Sequence, residues 1–174
     1  MNDLINDLYQ EIILDHGREP RNFGECDPHN KSADGHNPLC GDNLKLTFLL
    51  NDQNIIEDIK FTGEGCAISL ASASLMTEKL KGKKIEVAEE IFKDFTNLVS
   101  GSDEDLKVLN EEDSLYALKG VGGFPMRVKC ATMAWHAFNH ALKDLLWDYI
   151  LYILHCLYYL LFCNLFMETG LFPI

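Results

Sequence analysis

Basic residues are the scarce class in this chain: 15 Lys and Arg stand against 27 Asp and Glu over 174 residues, a formal net charge of −12. That surplus excludes binding to nucleic acid or anionic membranes by simple electrostatics and suits a basic protein partner. The opening Met1-Asn2-Asp3-Leu4 lacks the basic start and long apolar run of a secretory signal, so the six cysteines are expected in a reducing, cytoplasmic setting without disulfides. Familiar catalytic signatures are missing as well. Gly63-Glu64-Gly65 has Ile68 where a dinucleotide-binding loop needs its third glycine. His136 and His140 stand four apart and could share a metal, but Ala137 occupies the place of a zinc-protease glutamate. A papain-like nucleophile would need a local context that no cysteine here has.

In bulk the chain is ordinary, 47% hydrophobic and 24% charged, long enough for one domain with a real core and too short for two comfortable ones. Leu4, Ile5, Leu8, Ile12 and Ile13 recur at helical spacing before Gly17 and Pro20, which predicts a first helix over about 3–16. From Asn22 to Pro38 the polar, Gly-, Pro- and Asn-rich run predicts a loop with room for one irregular strand. Leu44 to Leu50 alternates, Asn51-Asp52-Gln53-Asn54 turns, and Ile55 to Phe61 runs back, the pattern of an antiparallel hairpin. Helices follow over Ala67–Lys81, stopped by Gly82, and over Ile85–Val99. After an acidic break at Ser100–Asp105 come a short helix near Ser114–Leu118 and a last one opened by Gly120–Gly123, with Pro125 near its first turn.

Three cysteines stand at element boundaries: Cys40 in Leu39-Cys40-Gly41-Asp42, Cys66 in Gly63-Glu64-Gly65-Cys66, and Cys130 in Arg127-Val128-Lys129-Cys130. Cys40 and Cys66 flank the open ends of the hairpin, which makes them neighbours in space. Cys66 falls at or just before a helix N-terminus, where partial positive charge favours a thiolate. Gly41 is free to take a positive φ, so a thiol and the Asp42 carboxylate share one turn. Thiolates with one carboxylate suit tetrahedral zinc, or a site that passes through iron and sulfide chemistry. Cys26, in the polar loop, and Cys156 and Cys163, seven apart on an apolar face, read instead as small hydrophobes.

Several motifs now fall in one order: Leu14-Asp15-His16 with Glu19-Pro20-Arg21-Asn22, then Asn37-Pro38-Leu39-Cys40-Gly41-Asp42, then Phe61-Thr62-Gly63-Glu64-Gly65-Cys66-Ala67-Ile68-Ser69 with Ala71-Ser72-Ala73-Ser74, and Arg127-Val128-Lys129-Cys130-Ala131-Thr132. Over about residues 4–143 the chain resembles the NifU N-terminal and IscU-type iron–sulfur assembly superfamily. The long interval between Cys66 and Cys130, and Lys129 where the IscU scaffolds have histidine, point to its SufU branch. The resemblance implies an α+β domain, with a small antiparallel sheet of about three strands and helices packed on one face. It implies zinc held by Cys40, Asp42, Cys66 and Cys130, and persulfide sulfur accepted on Cys40 from a pyridoxal-phosphate cysteine desulfurase of the SufS type. Arg127 matches a basic position of that branch and would bias the local charge. Such a protein is a sulfur acceptor and relay rather than an enzyme acting on a small molecule, and it would feed a downstream scaffold or apo-proteins. Two other readings stay open. In one, the same residues hold Fe²⁺ or a transient 2Fe–2S cluster, with Cys40, Cys66 and Cys130 as cluster ligands and Cys130 the leading sulfur acceptor. In the other, the zinc is purely structural and the protein is an interaction module.

The expected organisation is an assembly domain over 1–143 and an atypical apolar tail over 144–174. Between Leu145 and Met167 only Asp148 is charged, and no Lys or Arg follows Lys143. A membrane anchor needs about 20 apolar residues, which this segment barely supplies, and basic flanks, which it lacks on its far side. A helix packed on the domain or across a dimer is a further expectation. The abrupt change in composition also fits translation past a lost stop codon.

Overall fold

The computed structural model describes residues 2–102 and 106–143. Helix α1 (Asn2–Arg18) is followed by strands β1 (Lys31–Asn37), β2 (Asp42–Leu50) and β3 (Ile56–Glu64). Helices α2 (Ala67–Leu80) and α3 (Ile85–Ser100), a 3-10 helix at Ser114–Val121 and helix α4, from residue 125 to 143, complete the order. The sheet is antiparallel in the order β1-β2-β3, as expected of an α+β domain of this kind. Alternation sends Leu44, Leu46 and Phe48 of β2, with Ile59 and Phe61 of β3, into the core beneath the helices. There Phe48 meets Phe138 of α4 at 5.2 Å, and Phe95 of α3 stacks on Trp135 of α4 at 4.4 Å. On the other face, Cys26 is buried and its N–H donates to Thr47 Oγ1 at 2.9 Å. Burial, with Asp58 next in weight, pushes the Cys26 thiol upward, in keeping with an unreactive packing residue.

The loop expected over 22–38 instead contains a regular strand. β1 pairs with β2 from Lys31↔Phe48 to Asn37↔Asp42. Its inward positions are Lys31, Ala33, Gly35 and Asn37, so the period-2 pattern exists without any large apolar residue to reveal it. Gly35 serves close packing: a Cβ there would lie 3.1 Å from Met133 Cγ. The short helix expected near 114–118 extends to Val121 as a 3-10 helix, begun by Asp113, whose side chain accepts the Leu115 N–H.

Helix α2 is buried nearly all round, and its small residues let α1 and α4 come close. Its interior hydroxyls are used as fasteners: Ser72 Oγ donates to Ala131 O at 2.5 Å and accepts from Trp135 Nε1 at 3.1 Å. Ser74 Oγ accepts the Arg21 N–H and contacts His16 Nδ1, each at 2.8 Å, which ties α1 and the segment after it to α2. On α3, the buried Asp94 accepts the N–H groups of Lys107, Val108 and Leu109 at 2.7, 2.6 and 3.1 Å, pinning the chain as it returns from the acidic break.

Burial, reinforced by the Arg21 guanidinium and opposed by Glu78 and Asp15, holds His16 below its ordinary value of 6.5. The unfolded chain therefore takes up this proton before the folded one does. His16 contributes full stability above pH 6.5, and that contribution is lost as pH falls through the depressed folded value. Urea midpoints at about pH 7.5 and about pH 5.5 should differ more in the parent than in His16→Gln. Equal differences would reject the assignment.

The tail expected over 144–174, with Cys156 and Cys163, lies outside the described residues. Among those described, no helix is long and apolar enough to cross a membrane.

Candidate metal centre

Cys40, Asp42 and Cys130 come together at one end of the sheet, with Cys66 beside them. Cys40 lies in the Pro38–Gly41 turn between β1 and β2, Asp42 begins β2, Cys66 is the N-cap of α2, and Cys130 lies inside α4. The turn closes on Asn37, whose carbonyl accepts the N–H groups of Cys40 at 3.2 Å and Gly41 at 2.9 Å, with Gly41 at φ 75°. Gly63 faces Leu44 across β2 and β3 at φ 134°, where a Cβ would fall 2.0 Å from Asn43 O, so only glycine allows the strands to approach here. At Gly65 a Cβ would press on Asp42 Oδ1 at 3.0 Å. Both glycines thus let the chain that carries Cys66 come down onto Asp42.

The ligand atoms of Cys40, Asp42 and Cys130 all lie within 4.8 Å of one another, with the Cys40 and Cys130 sulfurs 3.1 Å apart. Cys66 adjoins this set without falling inside the same limit for all three. Its Sγ accepts the Ser69 N–H at 3.4 Å, as expected for a cysteine capping a helix. Its own N–H donates to Asp42 Oδ1 at 2.8 Å. Asp42 is wholly buried, yet no lysine, arginine or histidine pairs with it among the described residues. Burial is the largest influence on Cys130, followed by the Cys40 thiol, Asp42 and Cys66, and together they push its thiol far above the ordinary range. A buried carboxylate without a counter-charge beside converging thiols is a donor set that a divalent cation would satisfy. Three sulfurs and one carboxylate oxygen suit zinc, and equally iron.

The other residues singled out from the sequence are dispersed. Arg127 is exposed on α4, its guanidinium 4.4 Å from the centre of the Phe124 ring, and no hydrogen bond joins it to the thiols. His136 and His140 line a groove of about 560 Å³ beside the centre, together with Asn37, Leu39, Lys129 and Met133. No third ligand joins the two histidines among the described residues; His136 packs edge-on against Phe92 at 5.4 Å.

Two residues at the centre had no role assigned from the sequence. Asn37 is buried and donates from Nδ2 to Cys130 Sγ at 3.3 Å and to Asp42 Oδ2 at 3.4 Å. Ser69 is also buried, with an unpartnered Oγ next to Asp42 and Gly65. An Asn-Pro pair closing a strand, and a serine three residues after a helix-capping cysteine, are the local signals that mark them.

A three-stranded antiparallel sheet under helices, with thiols and a carboxylate gathered at its end, is the architecture of an iron–sulfur assembly domain. The chain belongs to the NifU-like N-terminal domain family, whose pattern matches residues 8–147. It is 44% identical over 135 residues to the zinc-dependent sulfurtransferase SufU of Bacillus subtilis strain 168, covering 78% of this chain and 89% of that one. It is 39% identical over 140 residues to the iron–sulfur cluster assembly scaffold protein IscU of Streptococcus pyogenes serotype M1, covering 80% and 85% respectively. Among solved structures, FiSufU from Fervidobacterium islandicum AW-1, described as a scaffold for the SUF system, superposes with a TM-score of 0.70 at 36% identity, over 76% of this chain and 94% of that one.

Proposed function

We propose that this protein is a cytoplasmic sulfur acceptor of the SufU type, serving iron–sulfur cluster assembly, with Cys40 receiving persulfide sulfur from a pyridoxal-phosphate cysteine desulfurase. The observation that carries this reading is the unequal exposure of the thiols. Cys40 is exposed on its turn, whereas the Cys130 sulfur 3.1 Å away is buried. Leu39, the residue before Cys40, and Met126, one turn before Cys130, are exposed apolar side chains that offer a partner contact area beside the thiol.

Cys40, Asp42, Cys66 and Cys130 would hold the zinc. When bound, zinc supplies the charge that keeps the thiolates deprotonated. The Cys40 thiolate then attacks the outer sulfur of the desulfurase persulfide. A new S–S bond forms at Cys40, the old one breaks, and the desulfurase cysteine leaves as a thiolate, so charge and oxidation level balance overall. Gly41 lets the turn reorient while Cys66 and Cys130 stay fixed on helices. Arg127 has the lesser role of positive charge near the entrance, and the sulfur passes on to a downstream scaffold or apo-protein.

The test is metal content of anaerobically purified protein, together with desulfurase turnover with and without it. One zinc per chain and stimulated turnover are the expected results. Iron with acid-labile sulfide, or a cluster transferable to an apo-ferredoxin, would instead make the centre a scaffold. Zinc without any stimulation would leave a structural module.

A further inference from the structure

The three thiols differ in what donates to them. Cys66 Sγ accepts the Ser69 amide at 3.4 Å and Cys130 Sγ accepts Asn37 Nδ2 at 3.3 Å. Cys40 Sγ has the Cys130 sulfur as its partner and no nitrogen donor among the described residues. A hydrogen bond to a thiolate stabilises its charge and lowers its nucleophilicity. Two of the three are therefore quieted by the surrounding chain, and the third is not.

The fold leaves Asn37 few alternatives. It is the last residue of β1, opposite Asp42 in register, and only 6% exposed, so solvent does not compete for its amide. Its Oδ1 accepts the Leu39 N–H at 3.3 Å, its carbonyl accepts two further N–H groups of the turn, and its Nδ2 spans Cys130 and Asp42. One buried side chain thus shapes the turn that presents Cys40 and occupies the lone pairs of the competing thiol.

We infer that Asn37 is the positioning residue that decides which thiol takes the sulfur: its amide quiets Cys130 and leaves Cys40, exposed and without a nitrogen donor, as the acceptor. The inference rests on the sulfur-transfer reading above and deepens it, since Cys130 lies close enough to Cys40 to compete.

The test maps persulfides by peptide mass spectrometry after zinc-loaded protein meets desulfurase and cysteine, in the parent, Asn37→Leu and Asn37→Asp. Leucine keeps the volume. Aspartate keeps the oxygen that accepts the Leu39 N–H and removes the donor, which separates shaping of the turn from donation to sulfur. At least a tenfold rise in the Cys130-to-Cys40 persulfide ratio is expected in both variants. In a Cys40→Ser background, adding Asn37→Asp is expected to bring acceptance at Cys130 that Cys40→Ser alone lacks. An unchanged ratio in both variants overturns the inference. A second readout does not depend on sulfur transfer. In cobalt-substituted protein, losing an N–H donor makes the thiolate more electron-rich, so its charge-transfer band should shift to the red in Asn37→Asp. An unmoved band, or loss of cobalt binding in both variants, would make Asn37 a structural residue only. A parent protein that takes no persulfide at any cysteine removes the sulfur-transfer reading, while the cobalt band still decides whether Asn37 donates to Cys130.

Discussion

Replacing Cys40 by alanine is expected to abolish persulfide acceptance, by at least about a hundredfold, while the domain stays folded. The expectation follows from the packing. Cys40 is exposed on a turn and fills no core space, so its loss removes the attacking sulfur and one of the four proposed zinc ligands but no core packing, and surface changes typically cost within about 0.5 kcal/mol apart from any change in metal binding. Cys130 is the opposite case, only 2% exposed on α4 with the Asn37 amide directed at it. Cys130→Ala should cost about 1–3 kcal/mol from the stranded donor alone, before any loss of metal, and Cys66→Ala should likewise lose metal and stability. Labelling of persulfides and urea unfolding on the same samples separate these outcomes. Retained acceptance in Cys40→Ala would refute the assignment of the acceptor, and a stable, metal-replete Cys130→Ala would refute the centre.

Stripping the metal should be the other large effect. The buried Asp42 carboxylate lacks a basic partner among the described residues, so removing a cation leaves it uncompensated beside three thiols. A ligand held at a thousandfold its dissociation constant stabilises by about 4 kcal/mol. In a chain of this length, about 4 kcal/mol moves the melting temperature by roughly 8–16 °C. Calorimetry before and after chelation under reducing conditions should register that drop, with recovery on adding zinc. An unchanged melting temperature after verified metal loss would mean that the four donors do not hold it.

The β2–β3 hairpin could be read from the chain because alternation of Leu44, Leu46 and Phe48 with polar residues is a direct image of a one-sided sheet. Cys66 as a helix cap was legible for a similar reason: small residues and a stop glycine delimit α2, leaving the cysteine at its start. β1 was not legible, since its inward positions hold lysine, alanine, glycine and asparagine, and its pairing is imposed by β2 and by the close approach of α4. The candidate ligands could be singled out from motif order, but the different surroundings of their sulfurs could not. Whether a thiol receives an amide depends on Asn37 and Cys130 meeting across 93 positions of sequence, which no local pattern encodes. Nor could Asp94 be foreseen in its role, because the three amides it gathers come from a segment without periodicity.

The Cys40 and Cys130 sulfurs, 3.1 Å apart, are separated by 90 positions along the chain. At ribosomal rates of about 5–20 residues per second, the first thiol waits about 5–18 s before the other has been made. During that interval Cys40 is a bare nucleophile on a nascent chain, open to oxidants and stray metals. A centre built from both sulfurs can therefore be completed only after α4 has been made, late in the synthesis of the domain.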